Sequence, residues 1–204
     1  MITKIVGVGA AIAMAFASGC GGGGAGAIPD GPADDVVTSY TVTTSKGPIT
    51  METHHSWAPN GVDRFGDLVA ADFFNDARFF RVISGFVAQF GINGTPSTNA
   101  MWSSRTLPDD PVVRTNTRGY VTYAQTSAPN SRTTQLFINT VDNSFLDDMG
   151  FAPFALVTDG MDVVDQLDSE YGEQPDQDTI STGGNAYLTA NFPNLDYIIA
   201  VTTP

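Results

Sequence analysis

RFFRVISGFVAQF, residues 78–90, is the stretch that decides how this chain is read. It is an almost wholly apolar run with a guanidinium, Arg81, set inside it and an amide, Gln89, near its end. Strand alternation would put Phe79, Arg81 and Ile83 on one face and Phe80 and Val82 on the other. Gly85 breaks the run, and Phe86, Val87 and Gln89 follow it. Removing a guanidinium from water is costly unless it has a partner or a task. The direction of Arg81 is therefore the question the stretch raises.

Two further segments bear on it. Gln135 and Phe137 share one face of a predicted strand over 135–139, and Phe145 and Leu146 open the loop that follows. One Arg, two Gln and several large apolar groups thus come from three separate segments. An apolar concavity rimmed by a few polar groups is the usual form of a small-ligand site. No general acid or base stands among these residues, so a reaction that needs none fits best.

Around these segments the chain reads as many short strands and two helices. VVTSYTVTTSKGPITMETH, from residue 36, gives two β-branched runs about a Ser45-Lys46-Gly47-Pro48 turn, a hairpin. Pro59 starts a helix in which Val62, Phe65, Leu68 and Val69 recur at helical spacing to about residue 71. Residues 91–118, rich in Thr, Ser, Asn and Pro, read as a long irregular excursion. Strands are expected at 119–124, 135–139 and 154–157, then a short helix over 161–167 supported at its start by Asp159. LDYIIAVTT reads as the closing strand. The pattern suggests a mainly β protein, an antiparallel barrel with helical caps.

Composition narrows the chemistry. The 204 residues are 42% hydrophobic and only 15% charged, with a net charge of −13. Nine scattered basic residues against 22 acidic ones make nucleic acid an unsuitable partner. The only histidines, His54 and His55, are neighbours in a predicted strand and point to opposite faces, so no Ser–His–Asp set is placed. The aspartates between 142 and 168 lack calcium-loop spacing, and no metal is expected. No phosphate-binding glycine motif follows a strand.

MITKIVGVGAAIAMAFASGC, residues 1–20, has one Lys, an apolar stretch and small residues before Cys20, the only cysteine. It resembles a bacterial lipoprotein signal, which implies lipidation of Cys20, although Ala17 stands where Leu is usual. An ordinary secretory signal or an uncleaved anchor are the alternatives. All of them send the protein out of the cytoplasm, to the bacterial cell envelope. Residues 21–35, rich in Gly, Ala and Pro, read as a flexible tether, and residues 36–204 as one domain.

FFRVISGFVAQFG resembles the cyclophilin signature of F-x-R-V-I followed by G-F and Gln. AQTSAPNSRTTQLFINT is similar to the family's second signature, and FLDDMGFAPFALVTDGMDVVDQL to its third block. TSKGPITMETHHSWAPNGVDRFGDLV is similar to its opening hairpin and first helix. The resemblance spans about residues 38–200. It implies a closed eight-stranded antiparallel β-barrel capped by two α-helices, and peptidyl-prolyl cis–trans isomerase activity without a cofactor.

By this resemblance Arg81 is the donor to the prolyl nitrogen, with Phe86 and Gln89 as its catalytic companions. Phe86, Val87, Phe137 and Leu146 form the proline pocket, with Ile83 in its wall. Gln135 and Phe145 line the groove, and the backbone around Ala124, Gln125 and Thr126 pairs with the peptide. The partners implied are proline-containing polypeptides and, through the lipid, a membrane; a monomer is expected. Several positions depart from the family pattern. Val87 stands where Met is frequent, Phe145 where many members have the Trp that serves cyclosporin, and Leu136 where Phe is usual. A pocket His has no counterpart near Gly150 and Phe151. A tethered proline-peptide binding module with little turnover is the alternative reading.

Overall fold

The computed structural model describes residues 35–204, so the expectations for the signal, Cys20 and nearly all of the tether lie outside the described residues. Eight strands appear: β1 Val37–Thr44, β2 Gly47–His54, β3 Arg81–Val82, β4 Val87–Phe90, β5 Tyr120–Tyr123, β6 Leu136–Asn139, β7 Pro153–Asp159 and β8 Ile198–Thr202. Four α-helices accompany them: α1 Pro59–Ala70, α2 Pro96–Ser103, α3 Met161–Asp165 and α4 Gln177–Asn191. A 3-10 helix runs over Ser144–Met149. Among the described residues no helix is long and apolar enough to cross a membrane.

The β1–β2 hairpin forms where its sequence signals it. Thr44 pairs with Gly47 across Ser45 and Lys46, and the Thr44 hydroxyl donates to Gly47 O at 2.7 Å. Alternation then buries Tyr40 and Val42 on β1 and Ile49 and Met51 on β2. Helix α1 starts at Pro59 without a side-chain cap of its own. Asp110 supplies one from a distance, accepting from the backbone N–H of Asn60 at 3.2 Å and of Gly61 at 2.9 Å. The helix buries Phe65 and Leu68, and Phe65 meets Tyr40 edge-on at 5.0 Å.

All strand pairings are antiparallel, in the order β3-β4-β6-β5-β7-β2-β1-β8. The closed barrel implied by the resemblance is not what the pairings give. The sheet is strongly curled but open, because β3 is only two residues long and forms no ladder with β8. The seam is instead spanned by a single bridge, Arg78 to Tyr197, and by bonds such as Phe79 N–H to Asp196 O at 2.9 Å.

The expected strand over 78–83 is also corrected. Only Arg81 and Val82 keep strand pairing, and the alternation fails upstream of them. Phe79 joins Val82 in the main core, while Phe80 turns into a second cluster with Ile92, Ile180, Leu188 and Leu195. Phe79 and Arg81 therefore do not share a face. The seam bonds pull residues 77–79 toward the chain before β8 and out of strand register.

Two helices were unforeseen. Helix α2 lies in the excursion expected to be irregular, and it buries only Trp102, so it carries no apolar stripe to read. Helix α4 buries Ile180, Gly184 and Leu188, but Gly184 departs from helical geometry with φ 58 and ψ −152, and the helix kinks there. Asp176 caps its start, accepting from Thr179 N–H at 2.8 Å. Asp159, expected to support α3, instead ends β7 opposite Thr50, and Gly160 occupies the N-cap.

The α4 kink is a docking device. Asn185 N–H donates to Gly94 O at 2.9 Å, and a Cβ at Gly184 would stand 2.1 Å from that same oxygen. Gly184→Ala should therefore combine a clash with a left-handed backbone, costing about 1–3 kcal/mol, and lower the thermal midpoint by roughly 2–10 °C. Gly66→Ala, on α1 with nothing within 4 Å of the added carbon, should leave it unchanged or raised. Equal midpoints for the two variants would refute the close approach.

Candidate active site

The register of four strands builds the site. Arg81 pairs with Gln89, Gln89 with Phe137, and Phe137 with Thr122. One step along each strand, Val82, Ala88, Ile138 and Val121 point the other way into the main core. The outward face of β3, β4, β6 and β5 thus holds Arg81, Val87, Gln89, Phe137, Asn139 and Thr122, with Ala124 and Gln135 at the strand ends.

Above this face lies a separate apolar cluster of Phe86, Val87, Phe137, Leu146 and Phe151, with Ile83 and Ala124 packed against it. Gly85, at φ 72, makes the turn that returns the chain: Phe86 N–H donates to Ile83 O at 3.0 Å and Ile83 N–H to Val87 O at 2.9 Å. Phe151 meets Phe137 edge-on at 5.7 Å. Phe145 is half exposed and lies nearly parallel to Phe86, ring centres 6.2 Å apart.

Arg81 borders this cluster. Its guanidinium carbon lies 5.6 Å from the centre of the Phe86 ring. Nη1 donates to Gln89 Oε1 at 3.2 Å, and Gln89 Nε2 donates to Gln135 Oε1 at 2.9 Å. On its other edge, Nε donates to Glu173 Oε1 at 2.9 Å, and Nη2 donates to the same oxygen. Of the five N–H groups a guanidinium carries, one on each terminal nitrogen is left without an acceptor among the described residues.

The members of the cluster come from distant segments and are tied together by buried amides. Asn116 is fully buried, and its Nδ2 donates to Asp147 Oδ1 and to Phe151 O, both at 2.7 Å. Its Oδ1 accepts from Thr122 Oγ1 at 2.8 Å and from Asn139 Nδ2 at 3.2 Å. Asn143 Nδ2 donates to Asn139 Oδ1 at 2.8 Å and to Phe86 O at 2.9 Å. One network thus anchors Phe86, the 3-10 helix that carries Leu146, and Phe151.

The rest of the expected groove is held differently. Gln125 Nε2 donates to Met149 O at 2.8 Å. Thr126 is exposed, and its N–H donates to Ser131 Oγ at 3.0 Å. Arg132, buried behind this loop, donates to Asp109 and to Gly150 O. Burial presses its pKa down from the usual value, while Asp109 and Asp110 oppose the shift.

The profile described as "Cyclophilin type peptidyl-prolyl cis-trans isomerase/CLD" matches residues 39–183. The chain belongs to the cyclophilin-type isomerases. It is 38% identical over 135 residues to peptidyl-prolyl cis-trans isomerase B of Escherichia coli, covering 62% of this chain and 82% of that one. It is 38% identical over 139 residues to isomerase A of Dickeya dadantii, covering 64% and 70%. A solved cyclophilin-type isomerase of Cryptosporidium parvum aligns over 83% of this chain and 98% of its own, with TM-score 0.62 and 18% identity. The same protein, in the presence of the dipeptide Ala-Pro, aligns with TM-score 0.60.

In this cyclophilin, the fold brings Arg81, Ile83, Phe86, Val87, Gln89, Ala124, Gln135, Phe137, Phe145 and Leu146 together. Sequence reasoning did not find Phe151, the Asn116 network or Glu173. The 92-residue separation of Glu173 from Arg81 carries no local signal. Asn116 leaves the most partners stranded if removed. Asn116→Ala should destabilise the fold by at least about 2 kcal/mol, since each buried unpaired group costs about 1–3. Denaturant unfolding checks this; a loss below about 0.5 kcal/mol would mean that the network does not hold the cluster together.

Proposed function

We propose that this chain accelerates rotation about X–Pro bonds in extracytoplasmic polypeptides, with Arg81 as donor to the prolyl nitrogen and the Phe86–Phe137–Leu146 cluster as seat for the proline ring. The barrier to such a rotation comes from C–N conjugation. It is about 18–20 kcal/mol for an ordinary peptide bond, and X–Pro bonds exchange in roughly tens to hundreds of seconds unaided. No covalent step is needed. The site has only to bind the twisted amide more tightly than either planar form.

In the twisted form the prolyl nitrogen becomes pyramidal and regains its lone pair. A donor fixed beside it stabilises that form selectively. Arg suits the task because it stays charged and its donors form a rigid plane. The observation that carries the reading is the state of Arg81: pinned by protein acceptors, next to an apolar cluster, with N–H groups uncommitted among the described residues. The Ala-Pro dipeptide named with the Cryptosporidium parvum structure is a substrate fragment of the class proposed here.

The extracytoplasmic and lipid-anchored part of the proposal rests on residues 1–20 and on Cys20. Labelled fatty acid should enter the expressed full chain and should not enter Cys20→Ala; equal labelling would remove the anchor from the reading. For the chemistry, Arg81→Ala should lower the isomerisation rate of an Ala-Pro peptide at least about tenfold with the fold intact. Exchange NMR on the peptide checks the rate, and the thermal midpoint of the variant checks the fold. An unchanged rate would refute the donor role, and affinity without accelerated exchange would favour a binding module instead.

A further inference from the structure

We propose that Glu173 is a positioning residue for Arg81, fixing the plane of its guanidinium from the edge opposite Gln89; this rests on the reading of Arg81 as the donor. Gln89 alone gives Arg81 one contact, at 3.2 Å from Nη1. A planar group held at one terminal nitrogen can still turn about that contact. Glu173 adds a second anchor on another edge, through Nε at 2.9 Å and through Nη2. Together the two acceptors take one N–H each from Nε, Nη1 and Nη2. That leaves one N–H on each terminal nitrogen without an acceptor among the described residues.

The carboxylate is delivered by a built turn. Gly172 N–H donates to Ser169 O at 3.2 Å and Gln174 N–H to Tyr171 O at 2.9 Å, and Gly172 is left-handed at φ 53. On the near side, Tyr171 packs edge-on against Phe192 at 5.2 Å. On the far side, Asp176 caps α4 through Thr179. Both flanks of Glu173 are therefore fastened to α4, which is itself docked through Gly184 and Asn185 onto Gly94.

Magnitudes separate this role from a stabilising one. The Glu173 side chain is 64% exposed, and an ion pair so open to water adds little to folding stability. Its effect on donor geometry is not weakened in the same way, because a misplaced catalytic group costs rate directly. The carboxylate also offsets part of the guanidinium's charge. The proposal holds that orientation outweighs this offset, and the opposite balance is a readable outcome.

The test uses the full chain and an Ala-Pro peptide, with kcat and KM from exchange NMR. Glu173→Ala should lower kcat about three- to tenfold, leave KM within about twofold, and leave the thermal midpoint within about 2 °C. Glu173→Gln keeps the acceptor oxygen and should restore most of kcat. In an Arg81→Ala background, Glu173→Ala should have no further effect. The proposal is overturned if Glu173→Ala leaves kcat unchanged or raises it, if the loss falls in KM, or if it persists without Arg81. Should Arg81→Ala itself keep the wild-type rate, the donor reading fails first. Should Arg81→Ala lose activity while Glu173→Ala does not, only the positioning role fails.

Discussion

The antiparallel register of β3, β4, β6 and β5 is the constraint on which the site depends. Arg81, Gln89, Phe137 and Thr122 stand in one row because each is paired with the next. A slip of one residue in any pair would turn a core side chain outward and a site side chain inward. The core face forbids that slip, because Val82, Ala88, Phe90, Leu136, Ile138, Val121 and Tyr123 are all buried in a single cluster. The apolar side of the sheet thus enforces the placement of the polar side. Fold stability and site geometry are, at this row, one property.

That arrangement creates a second demand. A sheet face carrying Arg, Gln, Asn and Thr cannot be covered by hydrocarbon alone, since a buried polar group without a partner costs about 1–3 kcal/mol. Two kinds of cover meet this demand. Toward Phe86 and Phe137 the cover is apolar, and it becomes the pocket. Toward Asn139 and Thr122 it is the amide of Asn116, which uses both its donors and its acceptor on four groups from four segments. A satisfied polar network beside the apolar cluster restricts repacking more than a further layer of apolar side chains would.

How much of this was legible in the sequence follows from the range of the interactions. The β1–β2 hairpin, α1, β5 and β6 are set by alternation, turn residues and helical spacing, and they appear where those signals lie. Helix α4 was hidden because Gly184 breaks its spacing, and that break makes sense only against Gly94, ninety positions away in the chain. The strand expected from residue 78 was shortened by bonds to the segment before β8, which no local pattern announces. At the site, Arg81, Gln89 and Gln135 were conspicuous because they are polar residues in apolar runs. Asn116, Phe151 and Glu173 were not, because an Asn in a polar loop, a Phe beside a strand and a Glu in a turn are ordinary until their partners are known.

The distribution of constraints suits a reaction in which nothing is transferred. Proton transfer demands groups whose pKa values lie near the working pH, whereas the sheet row at this site carries Arg81, Gln89, Phe137 and Thr122. Rotation about an amide demands instead a donor whose direction does not relax when the substrate twists. Acceptors on two edges of Arg81, an aromatic ring beside it and an amide chain running to Gln135 all restrict direction, and none of them supplies chemistry of its own. The guanidinium that looked wasted in an apolar strand is therefore held by more of the fold than any local pattern indicates: by sheet register on one side and by the segment leading into the C-terminal helix on the other.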